Sequence, residues 1–288
     1  MLKLKNLYYS YLQLFAWFLF SGFIIQLGLD FQFPKIYKTQ YTISCLDRYK
    51  MKKLSSLSIF FPCFNEERNI PFFIDEALNF LPKIADKFEI IIINDGSVDD
   101  TRLVTDKLTK ENPLIKVIHH SENLGYGAAL RTGFSVAKYE WVFFTDGDLQ
   151  FKLSQLKKFI PYTDKNHVII GYRKNRADGK ARVFNAWLFK LYIDLLFRVG
   201  VKDIDCAFKL FHRKTLQSLH LESTGAFTSS EVLYKLKKKG EVFVQLPVDH
   251  KKRKYGSPTG NNLKVIIKAG IEALSLYLKI KLGSLVQK

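Results

Sequence analysis

A chain of 288 residues that is 47% hydrophobic and 15% aromatic can bury a core of its own, which excludes intrinsic disorder, while Gly 16 and Pro 8 exclude a collagen-like repeat. Lys+Arg 45 against Asp+Glu 27 leaves +18, a surplus that suits phosphates, anionic lipid or nucleic acid without choosing among them. Cys45, Cys63 and Cys206 are odd in number and form no CxxC, so neither a disulfide framework nor a zinc site is indicated and a reducing compartment is the expected home.

The first element in chain order is an uncharged run, residues 6–29, whose apolar core is interrupted by Gln13, Ser21 and Gln26. About 20 such residues suffice to span a bilayer. No small-residue cleavage site follows, so the run is expected to be an uncleaved anchor rather than a removed signal; a helix lying on the domain or on the membrane is the alternative. Lys3 and Lys5 precede it and Lys35, Lys38 and Arg48 follow it, which assigns the bulk of the chain to the cytoplasmic side. Residues 1–54 are therefore read as hydrophobic anchor and basic linker, 55–260 as the main domain and 261–288 as a terminal helix.

From Leu57 short β-rich runs alternate with helical ones. The pattern predicts strands at 57–63, 88–95, 114–120 and 140–145, separated by helices at 70–81, 99–110 and about 125–137. The isoleucine-rich runs show no in/out alternation, as expected for central, mostly parallel strands covered on both faces by helices, so the fold class is α/β. NRADGK, residues 175–180, is the best candidate for a mobile loop.

Chemistry in open α/β sheets sits beyond the carboxyl ends of the strands. After the first strand stand Pro62, Cys63, Phe64, Asn65 and Glu66; after the second, Asn94, Asp95, Gly96 and Ser97; after the fourth, Asp146, Gly147, Asp148, Leu149 and Gln150. Two carboxylates separated by one glycine, with an amide two residues on, offer hard oxygens to Mg2+ or Mn2+, and such a cation would clamp a diphosphate. Any single Asp here reads first as a turn or helix cap. Three clusters on strand ends read as a site.

With these motifs in place, the chain resembles the family 2 glycosyltransferases of the GT-A fold, and within them the polyprenyl-phosphate hexose synthases, over residues 57–256. The resemblance implies that Pro62, Phe64, Asn65 and Glu66 embrace the base and ribose of a nucleotide sugar and that Asp95, with Ser97, contacts the same moiety. It implies that Asp146, Asp148 and Gln150 carry the metal and the phosphates, and that Asn123 and Gly125 belong to the turn opening the next helix. Gly171-Tyr172-Arg173 resembles a G-x-R strand end, Arg182 a second arginine facing an acceptor phosphate, and Arg253-Lys254-Tyr255-Gly256 a loop that closes over the site. Two positions depart from the pattern: Gly256 is followed by Ser257, Pro258 and Thr259, and Ala186 stands where a serine is expected.

A metal-bound nucleoside diphosphate leaves readily, and a phosphate acceptor arrives already ionised, so the protein needs positioning cations more than a strong base. The absence of His beside the DxD and the Arg and Lys downstream agree with a polyprenyl phosphate as acceptor. Residues 183–199 are nearly apolar all round, and 262–282 place Lys264, Lys268, Glu272, Ser275 and Lys279 on one face with Leu263, Ile266, Ile267, Ile271, Leu274 and Leu278 on another. That amphipathic helix either caps the core or lies on a lipid surface, and the basic runs nearby favour the lipid. A dinucleotide-binding fingerprint fails because Leu130 replaces the third glycine, and no nucleic-acid-binding motif is present. Two rivals remain: a hydroxyl-directed family 2 transferase, with Asp203, Asp205 or Glu231 as base, and a catalytically silent nucleotide-sugar-binding subunit.

Overall fold

The computed structural model describes residues 52–177, 179–256 and 263–286; the expected anchor at 6–29 and residues 257–259 lie outside them. Seven strands form one sheet in the order β3-β2-β1-β4-β6-β5-β7, from β1 (Leu54–Cys63), β2 (Ala85–Asn94), β3 (Ile115–His119), β4 (Trp141–Thr145), β5 (Val168–Arg173), β6 (Phe208–His212) and β7 (Phe243–Val248). The first four strands pair in parallel, with Ile59 beside Ile90 and Phe143. β6 runs antiparallel to both neighbours, placing Thr145 opposite Phe208. The reversal arises where α4 (Lys180–Phe197) carries the chain back so that β6 inserts between β4 and β5.

The parallel strands lack alternation because both their faces are covered. Ile90, Ile91, Ile92 and Ile93 are all buried, as are Phe60, Phe61, Phe143 and Phe144. Each such side chain contributes roughly 1.5–3 kcal/mol on burial. α1 (Ile70–Phe80), α2 (Thr101–Glu111) and α3 (Tyr126–Val136) follow the first three strands as the periodicity predicts. Phe134 of α3 meets Phe60 edge to face at 5.1 Å, and this approach requires Gly133, where a Cβ would lie 2.2 Å from the Phe60 ring.

Two differences from the sequence reading concern helices. Lys180, expected in a loop, is the first residue of α4. The terminal helix α7 (Leu263–Val286) forms, but its inward residues are Ala269, Gly270, Ala273 and Leu276, whereas Ile271 is 58% exposed. Small side chains let the helix approach closely: Tyr192 donates to the Gly270 carbonyl at 3.1 Å, and Glu272, expected on the solvent face, accepts from the Gly225 amide at 3.1 Å. The helices between are α5 (Arg213–Gln217) and α6 (Thr228–Lys238). No described helix is long and apolar enough to cross a membrane.

The chain divides into two compact units. One comprises Met51–Ala177 and Lys190–Lys288 and carries the sheet; the described part of the other is residues 179–189, which contain Arg182 on the first turn of α4 and the Phe184–Trp187 ring pair at 5.8 Å.

Candidate active site

The loops after β1 and β2 are stitched together by their own polar side chains. Asn65 sits at φ +58°, a left-handed conformation that Asn tolerates. Its amide donates to Ser97 Oγ at 2.9 Å and its Oδ1 accepts from the Val98 amide at 2.9 Å, while the Glu66 amide donates to Thr101 Oγ1 at 2.9 Å. Gly96, at φ +66°, is required twice over, because a Cβ there would lie 2.2 Å from the Glu122 carbonyl carbon. Pro62 and Phe64 flank this pair of loops, each half-buried.

Asp95 is buried and turned inward. Its oxygens accept from the amides of Leu124 at 3.0 Å and Gly125 at 2.9 Å, and from His120 at 2.7 Å. The carboxylate thus fixes the Asn123–Gly125 turn, and α3 starts from it. Neither His120 nor its second partner, Thr132 Oγ1 at 2.9 Å, stood out in the sequence.

That turn delivers Tyr126 to the DxD. The phenol donates to Asp146 Oδ1 at 3.0 Å. Burial, and then the neighbouring carboxylate of Asp148, hold the Asp146 carboxyl well above the usual range. Two crowded carboxylates at a strand end are what a hard divalent cation fits, since it relieves both the burial and the repulsion. Among the described residues no third His, Cys, Asp or Glu joins them in a metal-binding group, so the rest of such an ion's shell would come from water and a diphosphate. Gln150, read as a third ligand, gives its amide nitrogen to the Lys251 carbonyl at 2.9 Å, and the Lys251 amide returns a bond to the Gln150 carbonyl at 2.8 Å.

The segment after β7 is therefore fastened across the DxD. Gln155 adds a reciprocal pair, accepting from the Asp249 amide at 2.7 Å and donating to its carbonyl at 3.1 Å. Arg253 then reaches between Glu66 and Asp148, lying 3.4 Å from Asp148 Oδ2 and paired directly with Glu66, while its Nε donates to the Tyr255 carbonyl at 2.7 Å. Tyr255 stacks on Phe72 at 6.2 Å and lies under the Arg68 guanidinium at 4.2 Å. Burial raises the Glu66 carboxyl, against the pull of Asn69 and Arg253.

On the β5–β6 side the charges are paired more tightly than the sequence indicated. Arg173 grips Asp203 with two bonds of 2.6 and 2.7 Å, and its side chain is 6% exposed. Lys209 is buried and donates to the carbonyls of Ile204 and Cys206 and to Ser229 Oγ, which fixes the loop entering β6. Glu231 is fully buried; it accepts from the Glu222 and Ser223 amides at 2.8 and 2.9 Å and pairs with Lys235 at 2.7 Å. Of the three carboxylates considered as bases, Asp203 and Glu231 are bound in this way, and Asp205, partly buried, is the one with no ion pair or hydrogen bond among the described residues.

The family model described as Glycosyl transferase family 2 matches residues 58–220, more than half of the sequence. The chain belongs to glycosyl transferase family 2. A dolichyl-phosphate beta-glucosyltransferase of Trichomonas vaginalis is 27% identical over 246 residues, covering 79% of this chain and 75% of that protein. A dolichyl-phosphate beta-glucosyltransferase of Dictyostelium discoideum is 30% identical over 218 residues, covering 68% of this chain and 64% of that one. Among solved structures, glucosyl-3-phosphoglycerate synthase from Mycobacterium tuberculosis, crystallised with Mn2+ and uridine-diphosphate-glucose, superposes with TM-score 0.59 at 19% identity over 77% of this chain and 79% of that chain. At that identity the likeness shows the fold, a mixed α/β sheet flanked by helices. This family 2 glycosyltransferase thus brings together, in one unit, residues read from its sequence: Arg253 meets both Glu66 and Asp148, Asp146 takes the Tyr126 bond beside them in the DxD, and Asn65 joins the loop of Glu66 to that of Ser97. Tyr126, Gln155 and the Arg173–Asp203 pair are the additions.

Proposed function

We propose that this family 2 transferase moves a hexose from a nucleotide sugar to the phosphate of a polyprenyl phosphate, by a metal-assisted single displacement with inversion at the cytoplasmic face of a membrane. The observation that carries the reading is the kinship over most of the chain with two proteins named dolichyl-phosphate beta-glucosyltransferase. Their names also favour a glucosyl donor such as UDP-glucose over GDP-mannose.

The site's chemistry supports it. Asp146 and Asp148 are the groups to hold Mg2+ or Mn2+, which when bound offsets the charge of the departing diphosphate. Tyr126 orients Asp146 through its 3.0 Å bond. The Asn65–Ser97 and Glu66–Thr101 contacts shape the pocket proposed for base and ribose. Arg253 is the cation proposed to meet the acceptor phosphate, whereas Arg173 holds Asp203 and so positions the loop entering β6. An ionised phosphate needs no proton acceptor, and two of the three candidate bases are engaged elsewhere.

The Asp205 carboxyl, which no described side chain pairs or hydrogen-bonds, favours a second reading, in which the acceptor is a hydroxyl. The deciding experiment gives the purified full chain labelled UDP-glucose or GDP-mannose together with either a polyprenyl phosphate or a panel of sugar and lipid alcohols. Label moving into a phosphodiester-linked lipid supports the proposal. Efficient transfer to an alcohol with none to the phosphate overturns it.

A further inference from the structure

The family assignment leaves open which residue reads the sugar itself. The sheet order supplies a ruler for that question. Going along the strand ends, Asp95 and Ser97 stand after β2, Asn65 and Glu66 after β1, and Asp146 and Asp148 after β4. Neighbouring strands are about 4.8 Å apart, so these groups succeed one another in steps of that size. A nucleotide sugar laid along the row, with its nucleoside over β2 and β1 and its diphosphate over β4, carries its hexose to the next strand, β6.

What β6 offers there is Asp205. Thr145 pairs with Phe208 and the two strands are antiparallel, so the DxD leaves β4 at the same end of the sheet at which residues 205–207 enter β6. Lys209 pins the carbonyls on both sides of Asp205, those of Ile204 and Cys206, at 3.1 and 2.5 Å, so the residue between them is presented by a fixed backbone. Asp203, two residues earlier, is held by Arg173. Asp205 is partly buried and, among the described residues, makes no hydrogen bond or ion pair.

We propose that Asp205 is the sugar-reading residue, its carboxyl group accepting hydrogen bonds from hydroxyls of the hexose in the bound nucleotide sugar. A carboxylate suits a neutral polyol, whose hydroxyls donate to it, and it would repel an anionic acceptor. The inference rests on the nucleotide-sugar reading above but not on the identity of the acceptor.

The test is calorimetric titration of the full chain in Mn2+ with UDP, UDP-glucose, GDP and GDP-mannose, comparing wild type with Asp205→Asn, a change that keeps shape and removes the charge. For the nucleotide that binds, the sugar nucleotide should weaken about 10- to 100-fold in the variant, the range for losing a bond to a charged group, while the bare diphosphate stays within about two-fold. Equal losses for both ligands would mean that Asp205 supports the fold or the metal. Unchanged binding of both, with turnover collapsed, would make it a proton acceptor for a hydroxyl; either result overturns the inference. If the variant does not fold, wild-type protein titrated with deoxy-analogues of the sugar nucleotide answers instead, and analogues that all bind like the parent count against it. Failure of every nucleotide to bind would sink the nucleotide-sugar reading and this inference with it.

Discussion

Asp148 has two partners in prospect: Arg253, which it faces now, and the divalent cation proposed for the DxD. Asp148→Asn removes the charge both need while keeping the volume, so transfer should fall by about 10³-fold or more, as when a metal or charge-stabilising group is lost. The melting temperature should move only slightly, and full activity in a chelator would contradict the metal role. Glu231 makes the opposite case. Burial alone would raise its carboxyl, but the bonds from Lys235, Ser223 and the Glu222 amide outweigh burial and hold it below its ordinary 4.5. Glu231→Gln should therefore cost stability, about 3–5 kcal/mol for one partner of a buried ion pair, and leave kcat per folded molecule unchanged. Because the folded carboxyl titrates below the unfolded one, this stabilisation is complete above the unfolded value and is lost as pH falls through the folded one. The gap between wild type and variant in chemical denaturation should accordingly close in acid. The DxD was legible in the sequence because its chemistry is packed into three consecutive residues. The partners of Tyr126 and Arg253 were not, because they lie 20 and 105 or more positions away, even though the Arg253 loop itself was expected at the site.

At the scale of elements, strand and helix positions followed from hydrophobic periodicity within two or three residues, as with the helix expected at 70–81 and found as Ile70–Phe80. The direction of β6 and the buried face of α7 did not, since each is decided by tertiary pairing: β6 by its place between β4 and β5, α7 by Glu272 reaching the Gly225 amide. Attachment of the segment after β7 was equally invisible, although it is built from two ordinary glutamines. Gln150 and Gln155 supply side-chain bonds to Lys251 and Asp249 that no strand pairing replaces. Gln155→Ala removes two of them and should loosen residues 249–256 without unfolding the sheet. Each lost bond is worth about 0.5–1.5 kcal/mol, so amide exchange at Asp249 should accelerate about 5- to 160-fold for the two together. Since Arg253 rides on that segment, kcat/KM should fall while the global melting temperature holds. Unchanged exchange at Asp249 would show that the segment is held by Arg253 and Tyr255 instead.

For the whole molecule, +18 on 288 residues is a charge that folding alone does not need, since like charges repel in the compact state. Part of it lies beside exposed apolar side chains. On α4, Leu191 and Leu195 are 52% and 58% exposed; on α7, Ile271 and Leu282 are exposed and Lys268, Lys279 and Lys281 stand among them. Outward Leu and Ile bordered by Lys are the composition of a surface that meets lipid headgroups, which agrees with the membrane location proposed for the transferase. Each Lys or Arg near an anionic leaflet contributes about 1 kcal/mol, and that contribution is screened by salt. The full chain should therefore sediment with phosphatidylserine-containing vesicles much better than with phosphatidylcholine alone. The difference should shrink as salt rises from about 0.1 M to about 1 M, where the screening length drops from roughly 10 Å to 3 Å. Binding that ignores both lipid charge and salt would assign the attachment to apolar insertion. No binding to either vesicle would detach the basic surface from the membrane and leave it to the phosphates of donor and acceptor.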